Sequence, residues 1–235
     1  MIKKLNLAGT WDFAMDPEKK GIDEHIYSKE FSDNIPLPGT ISMAQKGTPS
    51  DVKETGFLTD PYLFEGYAWY AKEIDLDRTD LDKNIILYLE RTRMTKVWVD
   101  DQLVGDFDSL NTPHEYDLTP YLKQTHFRLT ILVSNVDYPT KGGHLTSPDT
   151  QTNWNGIIGE IALHIFDQCY IKNVKTFPDT KTRTVRVTFD TVNTTKEEHE
   201  LTLQTQAFLT DISGDTGISS AAATQEVTFP VGTHA

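Results

Sequence analysis

Apolar residues recur at every second position in one run of this chain after another. Leu129, Ile131 and Val133 alternate with Thr130 and Leu132, Ile161, Leu163 and Ile165 with Ala162 and His164, and Val185, Val187 and Phe189 with Arg186 and Thr188. A period of two sends successive side chains to opposite faces of a strand, whereas a helix face needs a period of 3.6. The runs are separated by turn-forming clusters such as Pro36-Leu37-Pro38-Gly39, Asp100-Asp101-Gln102 and Lys141-Gly142-Gly143, at spacings that suit an all-β sandwich. No amphipathic helix of useful length is present. The single helical hint is Thr119-Pro120-Tyr121-Leu122-Lys123, where Thr119 can cap and Pro120 fits the first helical position.

The 235 residues hold one large β domain or two smaller ones, but no (β/α)8 barrel beside anything else. A formal charge of −13 repels phosphate backbones and anionic lipid, so the chain is expected to bind neither nucleic acid nor membrane. No apolar run reaches the roughly 18 residues of a span, and Met1-Ile2-Lys3-Lys4-Leu5-Asn6 turns polar before a signal-peptide core develops. The expectation is a soluble chain without a signal peptide; Cys169 as the sole cysteine leaves the compartment open. Composition changes near residue 168. Residues 1–168 hold all four Trp, with 16 Lys and Arg against 27 Asp and Glu, while residues 169–235 hold no Trp, with 6 against 8. Two domains are therefore expected, 1–168 and 169–235. The second offers strands near Tyr170–Phe177, Thr182–Thr191, Glu200–Leu209 and Gln225–Phe229. That is four where an immunoglobulin-like sandwich needs about seven, so the chain is expected to stop inside this domain.

Six fragments stand in order: Leu7-Ala8-Gly9-Thr10-Trp11-Asp12-Phe13, Leu37-Pro38-Gly39-Thr40, Gly66-Tyr67-Ala68-Trp69-Tyr70-Ala71-Lys72-Glu73, Val97-Trp98-Val99-Asp100-Asp101-Gln102-Leu103-Val104-Gly105, His114-Glu115-Tyr116-Asp117-Leu118-Thr119-Pro120-Tyr121-Leu122 and Thr152-Asn153-Trp154-Asn155-Gly156-Ile157-Ile158-Gly159. Together they resemble the N-terminal sugar-binding domain of glycoside hydrolase family 2, the β-galactosidases, β-glucuronidases and β-mannosidases. The resemblance implies a jelly-roll β-sandwich of the galactose-binding-domain type, followed by the start of an immunoglobulin-like sandwich. In that family a (β/α)8 barrel comes next and carries two catalytic glutamates, one in an Asn-Glu pair. This chain has no Asn-Glu dipeptide and no His-Tyr-Pro stretch. The resemblance therefore implies a non-catalytic region of a retaining glycosidase of terminal β-glycosides, supporting an absent barrel and inactive alone. A free-standing carbohydrate-binding module and a purely structural or oligomerisation module are the alternatives.

No catalytic residue, metal site or cofactor is expected within the chain. The Asp100-Asp101 pair falls in a hairpin turn, where Asp is favoured for backbone reasons, and Asp75, Asp77, Asp80 and Asp82 read as solvated turn residues. No Gly-x-Ser-x-Gly, His-Glu-x-x-His or EF-hand pattern occurs. His164 reads as a strand-face residue, and His144 as a loop residue that is either solvated or on a site rim. Substrate contact is expected from Gln151, Asn153, Trp154 and Asn155, within the polar stretch Ser147–Ile157. Amides suit sugar hydroxyls and an indole suits the apolar face of a sugar ring, and in the family the matching loop reaches the active site. The competing reading packs Trp154 in the sandwich and leaves the Asn side chains to satisfy loop backbone. Alternation puts Tyr67 and Trp69 on one strand face and Tyr70 on the other; Trp11, Trp69 and Trp98 are expected in the core. Asn193-Thr194-Thr195 matches a glycosylation sequon.

Overall fold

The structure, a computed structural model, describes residues 2–53, 55–56, 58–140, 153–210, 216–219 and 222–234. It divides into two compact units, Met1–Ile165 and Phe166–Ala235.

The first unit is a β-sandwich. One sheet has four strands in the order Lys3–Asn6, Ile161–Phe166, Asn84–Leu89, His114–Asp117; the other has six, in the order Gln102–Phe107, Met94–Val99, His126–Ser134, Tyr67–Asp75, Gly9–Asp16, Asp33–Leu37. Alternation decides which side chains meet between them. Leu87, Leu89, Tyr116, Leu163 and Ile165 from the smaller sheet pack with Trp11, Phe13, Tyr70, Val97, Ile131 and Val133 from the larger, within one core of 25 buried apolar residues.

The six-stranded sheet is buried on its outer face as well. Tyr67 and Trp69 point there, opposite Tyr70, and Trp69, Trp98 and Leu132 form a second cluster under Ile22, Ile26, Tyr27 and Phe31. Tyr27 stacks on Trp98 at 5.1 Å and 8°, and Trp98 lies 5.3 Å from Trp69. This explains why Leu132 interrupts the alternation of its strand: the strand meets an apolar layer on both sides.

Asp100 adopts φ +50° in the turn between Val99 and Gln102, and its carboxylate accepts from the Arg128 N–H at 2.9 Å. The turn at Thr119–Tyr121 is a single 3-10 turn whose cap position is Leu118, without a side-chain cap. Thr119 does not cap it because its hydroxyl accepts from the Ile85 N–H at 2.9 Å instead. Asp80 is 2% exposed rather than solvated. The turn over Arg78–Asp80 tucks it toward the first strand, where Lys3 and Lys83 pair with it at 2.6 and 3.6 Å. Asp75, Asp77 and Asp82 are exposed.

The second unit has seven strand segments among the described residues. Cys169–Asp179, Thr184–Asn193 and Gly232–His234 form one sheet, His199–Thr205 pairs with Ala223–Phe229, and Phe208–Thr210 pairs with Thr216–Ser219. The run expected over Glu200–Leu209 divides between His199–Thr205 and Phe208–Thr210, and Thr216–Ser219 and Gly232–His234 lie outside the four expected strands. Val192 and Phe229 are its buried apolar residues, while Val174, Phe177, Val185 and Val187 are exposed. The sequon nitrogen is inside: Asn193 is 1% exposed, and its Nδ2 donates to the Glu197 and Phe229 carbonyls, both at 2.8 Å. A glycan at Asn193 is incompatible with this fold.

At the edge of the first core, His114 is fully buried. Its Nε2 lies 2.7 Å from the Ser109 carbonyl and its Nδ1 2.6 Å from the Thr95 hydroxyl. Since a carbonyl only accepts, Nε2 carries the proton and Nδ1 accepts from Thr95. Burial, partly opposed by the Ser109 carbonyl, holds the His114 pKa below its ordinary value. The unfolded chain takes up a proton near pH 6.5 where the folded chain does not, so this stability is full above that pH and is lost as pH falls. Urea titrations are expected to show the native chain losing its advantage over His114→Gln below pH ~6.5, at up to about 1.4 kcal/mol per pH unit. A difference that stays flat from pH 7 to about pH 5 contradicts the assignment.

Candidate functional site

A cavity of about 290 Å³ opens in the first unit between residues 41–65 and the segment Asn153-Trp154-Asn155. Two short ladders shape it: Gly39–Thr40 pairs with Gly156–Ile157, and Thr48–Pro49 with Tyr62–Leu63. The first ladder depends on Gly156. At φ +149° a Cβ there would lie 2.2 Å from the Gly39 carbonyl oxygen, so only glycine admits so close an approach.

The three described residues of the expected site have different surroundings. Asn155 is 2% exposed. Its Oδ1 accepts from the Tyr70 hydroxyl at 3.0 Å, its Nδ2 donates to the Val133 carbonyl at 2.9 Å, and its backbone carbonyl accepts from the Ile41 N–H at 3.0 Å. The amide ties this segment to two strands of the larger sheet. Trp154 is half-buried. The Arg93 guanidinium lies 4.2 Å over its ring centre, and Arg93 Nε donates to its carbonyl at 3.2 Å. A cation over a partly desolvated indole contributes about 1–2 kcal/mol, enough to fix the ring. Asn153 is also half-buried. It accepts from the Tyr138 hydroxyl at 3.1 Å and donates to Glu65 Oε1 at 3.2 Å. Burial raises the Tyr138 pKa, which keeps its hydroxyl a donor. Among the described residues this leaves one N–H and one lone pair of the Asn153 amide without a partner. Gln151 and His144 lie outside the described residues.

Sequence reasoning missed the residue that joins the two walls. Asn135 is fully buried; its Nδ2 donates to the Phe64 and Asn153 carbonyls at 2.8 and 2.7 Å, and its Oδ1 accepts from the Gly66 N–H at 3.0 Å. One amide thus holds both sides of the cavity. The available signal was the polar pair Ser134-Asn135 after the apolar run ending at Val133. Ser42, Thr48, Asp60 and Glu65 add hydroxyls and carboxylates to the lining, and Ile41, Leu63 and Phe64 add apolar surface. The arrangement offers an aromatic ring, an amide and acceptor oxygens around one small space. No group of three His, Cys, Asp or Glu among the described residues is placed to hold a metal ion.

Asn155→Ala strands the Tyr70 hydroxyl and the Val133 carbonyl in the core and is expected to cost about 3 kcal/mol. Asn153→Ala leaves its partners near solvent and should cost under about 1 kcal/mol. Urea denaturation checks both, and equal costs would contradict the division of roles.

Residues 2–166 match the family model described as glycosyl hydrolases family 2, sugar binding domain. A β-galactosidase of Thermoanaerobacter pseudethanolicus is 29% identical over 124 residues, covering 50% of this chain and 16% of that enzyme. A β-glucuronidase of Paenibacillus borealis is 26% identical over 133 residues, covering 56% of this chain and 21% of that enzyme. The crystal structure of a Bacteroides uniformis β-glucuronidase superposes with a TM-score of 0.70 at 18% identity, over 100% of this chain and 27% of that one, a likeness of fold. The chain spans about a fifth of the length of the curated relatives it matches. Through the sugar-binding sandwich that fills its first unit, the chain belongs to glycosyl hydrolase family 2.

Proposed function

We propose that this chain is the non-catalytic amino-terminal region of a retaining glycosidase acting on terminal β-glycosides, and that the Asn153-Trp154 segment forms part of its substrate pocket. The observation that carries the reading is the Asn153 amide. It is fixed by Tyr138 and Glu65, keeps hydrogen-bonding capacity, and stands beside an indole fixed by Arg93. Fixed rotamers matter because a side chain that is ordered before the sugar arrives loses little entropy on binding. Gln151 is proposed as a third contact, while Asn155 acts from behind as a positioning residue.

Retaining hydrolysis needs two carboxyl groups about 5 Å apart across the scissile bond, one acting as acid and base. In this reading both belong to a (β/α)8 barrel outside the chain. Phe166–Ala235 is proposed as part of an immunoglobulin-like sandwich joining the two. Supporting the barrel and orienting the sugar are then the two tasks of the region.

Asn153→Ala in the full-length enzyme is expected to lower kcat/KM by about 10- to 100-fold through lost orientation, with an unchanged thermal midpoint. The isolated chain should not hydrolyse p-nitrophenyl β-D-galactoside or β-D-glucuronide. Unchanged kcat/KM in the variant would remove the loop from the pocket, and turnover by the isolated chain would end the non-catalytic reading.

A further inference from the structure

A second cavity, of about 260 Å³, lies on the outer face of the six-stranded sheet and shares no lining residue with the first. Its base is set by strand register. Ser134 stands opposite both Tyr67 and Met94, and Leu132 opposite both Trp69 and Lys96; Asp106 of the edge strand stands opposite Lys96. Two neighbouring rows therefore present Tyr67, Ser134 and Met94, then Leu132, Lys96 and Asp106, on one face. The cover formed by Ile22, Ile26, Tyr27 and Phe31 packs on Trp69, Trp98 and Leu132.

The chemistry of this cavity is mixed in a specific way. Met94 and the Tyr67 ring make an apolar floor, backed by the buried Leu132. Around it stand two lysine–carboxylate pairs, Lys96 with Asp106 at 3.7 Å and Lys19 with Asp137 at 3.4 Å. Lys19 also lies 6.0 Å above the Tyr67 ring, and Ser134 donates to Asp137 at 3.1 Å. Burial, then Asp137, push the Tyr67 phenol up to about 12, so it remains a donor at neutral pH.

We propose that this cavity is a second carbohydrate subsite, which takes one neutral pyranose ring. The volume suits a single ring rather than a drug-sized ligand. A pyranose has an apolar C–H face for Met94 and Tyr67 and a rim of hydroxyls that both donate and accept. Carboxylates accept from vicinal hydroxyls and ammonium groups donate to them. Lys96 and Lys19 each already face a carboxylate, so among the described residues a phosphate or uronate meets no uncompensated positive charge. A wholly apolar ligand would bury the ion pairs without hydrogen bonds. The site is open to water, which points to a Kd on the order of millimolar. It does not depend on the pocket at Asn153, and in a glycosidase it would hold a distant unit of a glycan chain or tether the protein to one.

The chain has four methionines, and among the described ones Met94 alone lines this cavity, so methyl NMR with labelled methionine reads the site directly. Titration of the 235-residue chain with methyl β-D-glucopyranoside and methyl β-D-galactopyranoside is expected to shift the Met94 methyl saturably with at least one of them. Met15 and Met43 should stay in place, and methyl β-D-glucuronide should leave Met94 unmoved. Lys96→Met, at a side chain 37% exposed, is expected to weaken the response at least ~10-fold while unshifted Met15 and Met43 signals report an intact fold. Asn153→Ala should leave the response intact, which separates this site from the first. No saturable Met94 shift with either neutral glycoside, an equal shift with the glucuronide, or an undiminished response in Lys96→Met would each overturn the proposal.

Discussion

The strand His126–Ser134 is buried on both faces, and the rest of the first unit is arranged around it. Phe127, Leu129, Ile131 and Val133 face the core between the sheets, and Leu132 faces the tryptophan layer outside. Fully burying one such side chain is worth about 1.5–3 kcal/mol, so the strand is pinned in register from two directions, and a slip of one residue would invert every contact. Its neighbours inherit that register: Tyr70 and Val97 both stand opposite Ile131. Where the strand ends, Asn135 continues its direction into the site and bonds both cavity walls.

This rigidity orders the candidate site. A surface segment normally costs a ligand the entropy of ordering it. Here Asn155 is bonded to Tyr70 and Val133, Gly156 is fitted against Gly39, and Arg93 lies over Trp154. Of three consecutive polar or aromatic residues, one is used wholly by the fold, one is half used, and one keeps spare hydrogen-bonding capacity. A buried amide must satisfy its own groups before it can serve a ligand. The same sheet that orders this segment supplies, on its other face, the two rows that form the second cavity.

Much of this fold is written in short-range pattern. The period-two runs locate His126–Ser134 and Ile161–Phe166, and the parity of Tyr67, Trp69 and Tyr70 assigns each to its cluster. The Asp100 turn follows from local residue chemistry. Long-range partners are not written that way. Asp80 looks like any turn aspartate until Lys3, 77 residues away, is brought beside it. Thr119 looks like a cap until Ile85 claims its hydroxyl. Asn153 and Asn155 are the same residue type two positions apart, and only the fold shows that the second faces Tyr70 across 85 positions. Asn135 and Arg93 are not legible because a lone Asn after a strand, or a lone Arg just before one, carries no local motif; what distinguishes them is burial.

In the proposed function, the sandwich holds Asn153 and Trp154 against a sugar hydrolysed by a full-length enzyme. A crystal structure of that enzyme with a bound glycoside, or with a covalent glycosyl intermediate, tests it most directly. The account predicts a sugar hydroxyl within about 3.2 Å of the Asn153 amide, with the Trp154 ring against the sugar or its aglycone. A sugar seated wholly among barrel residues, with Asn153 solvated and remote from it, would contradict the account.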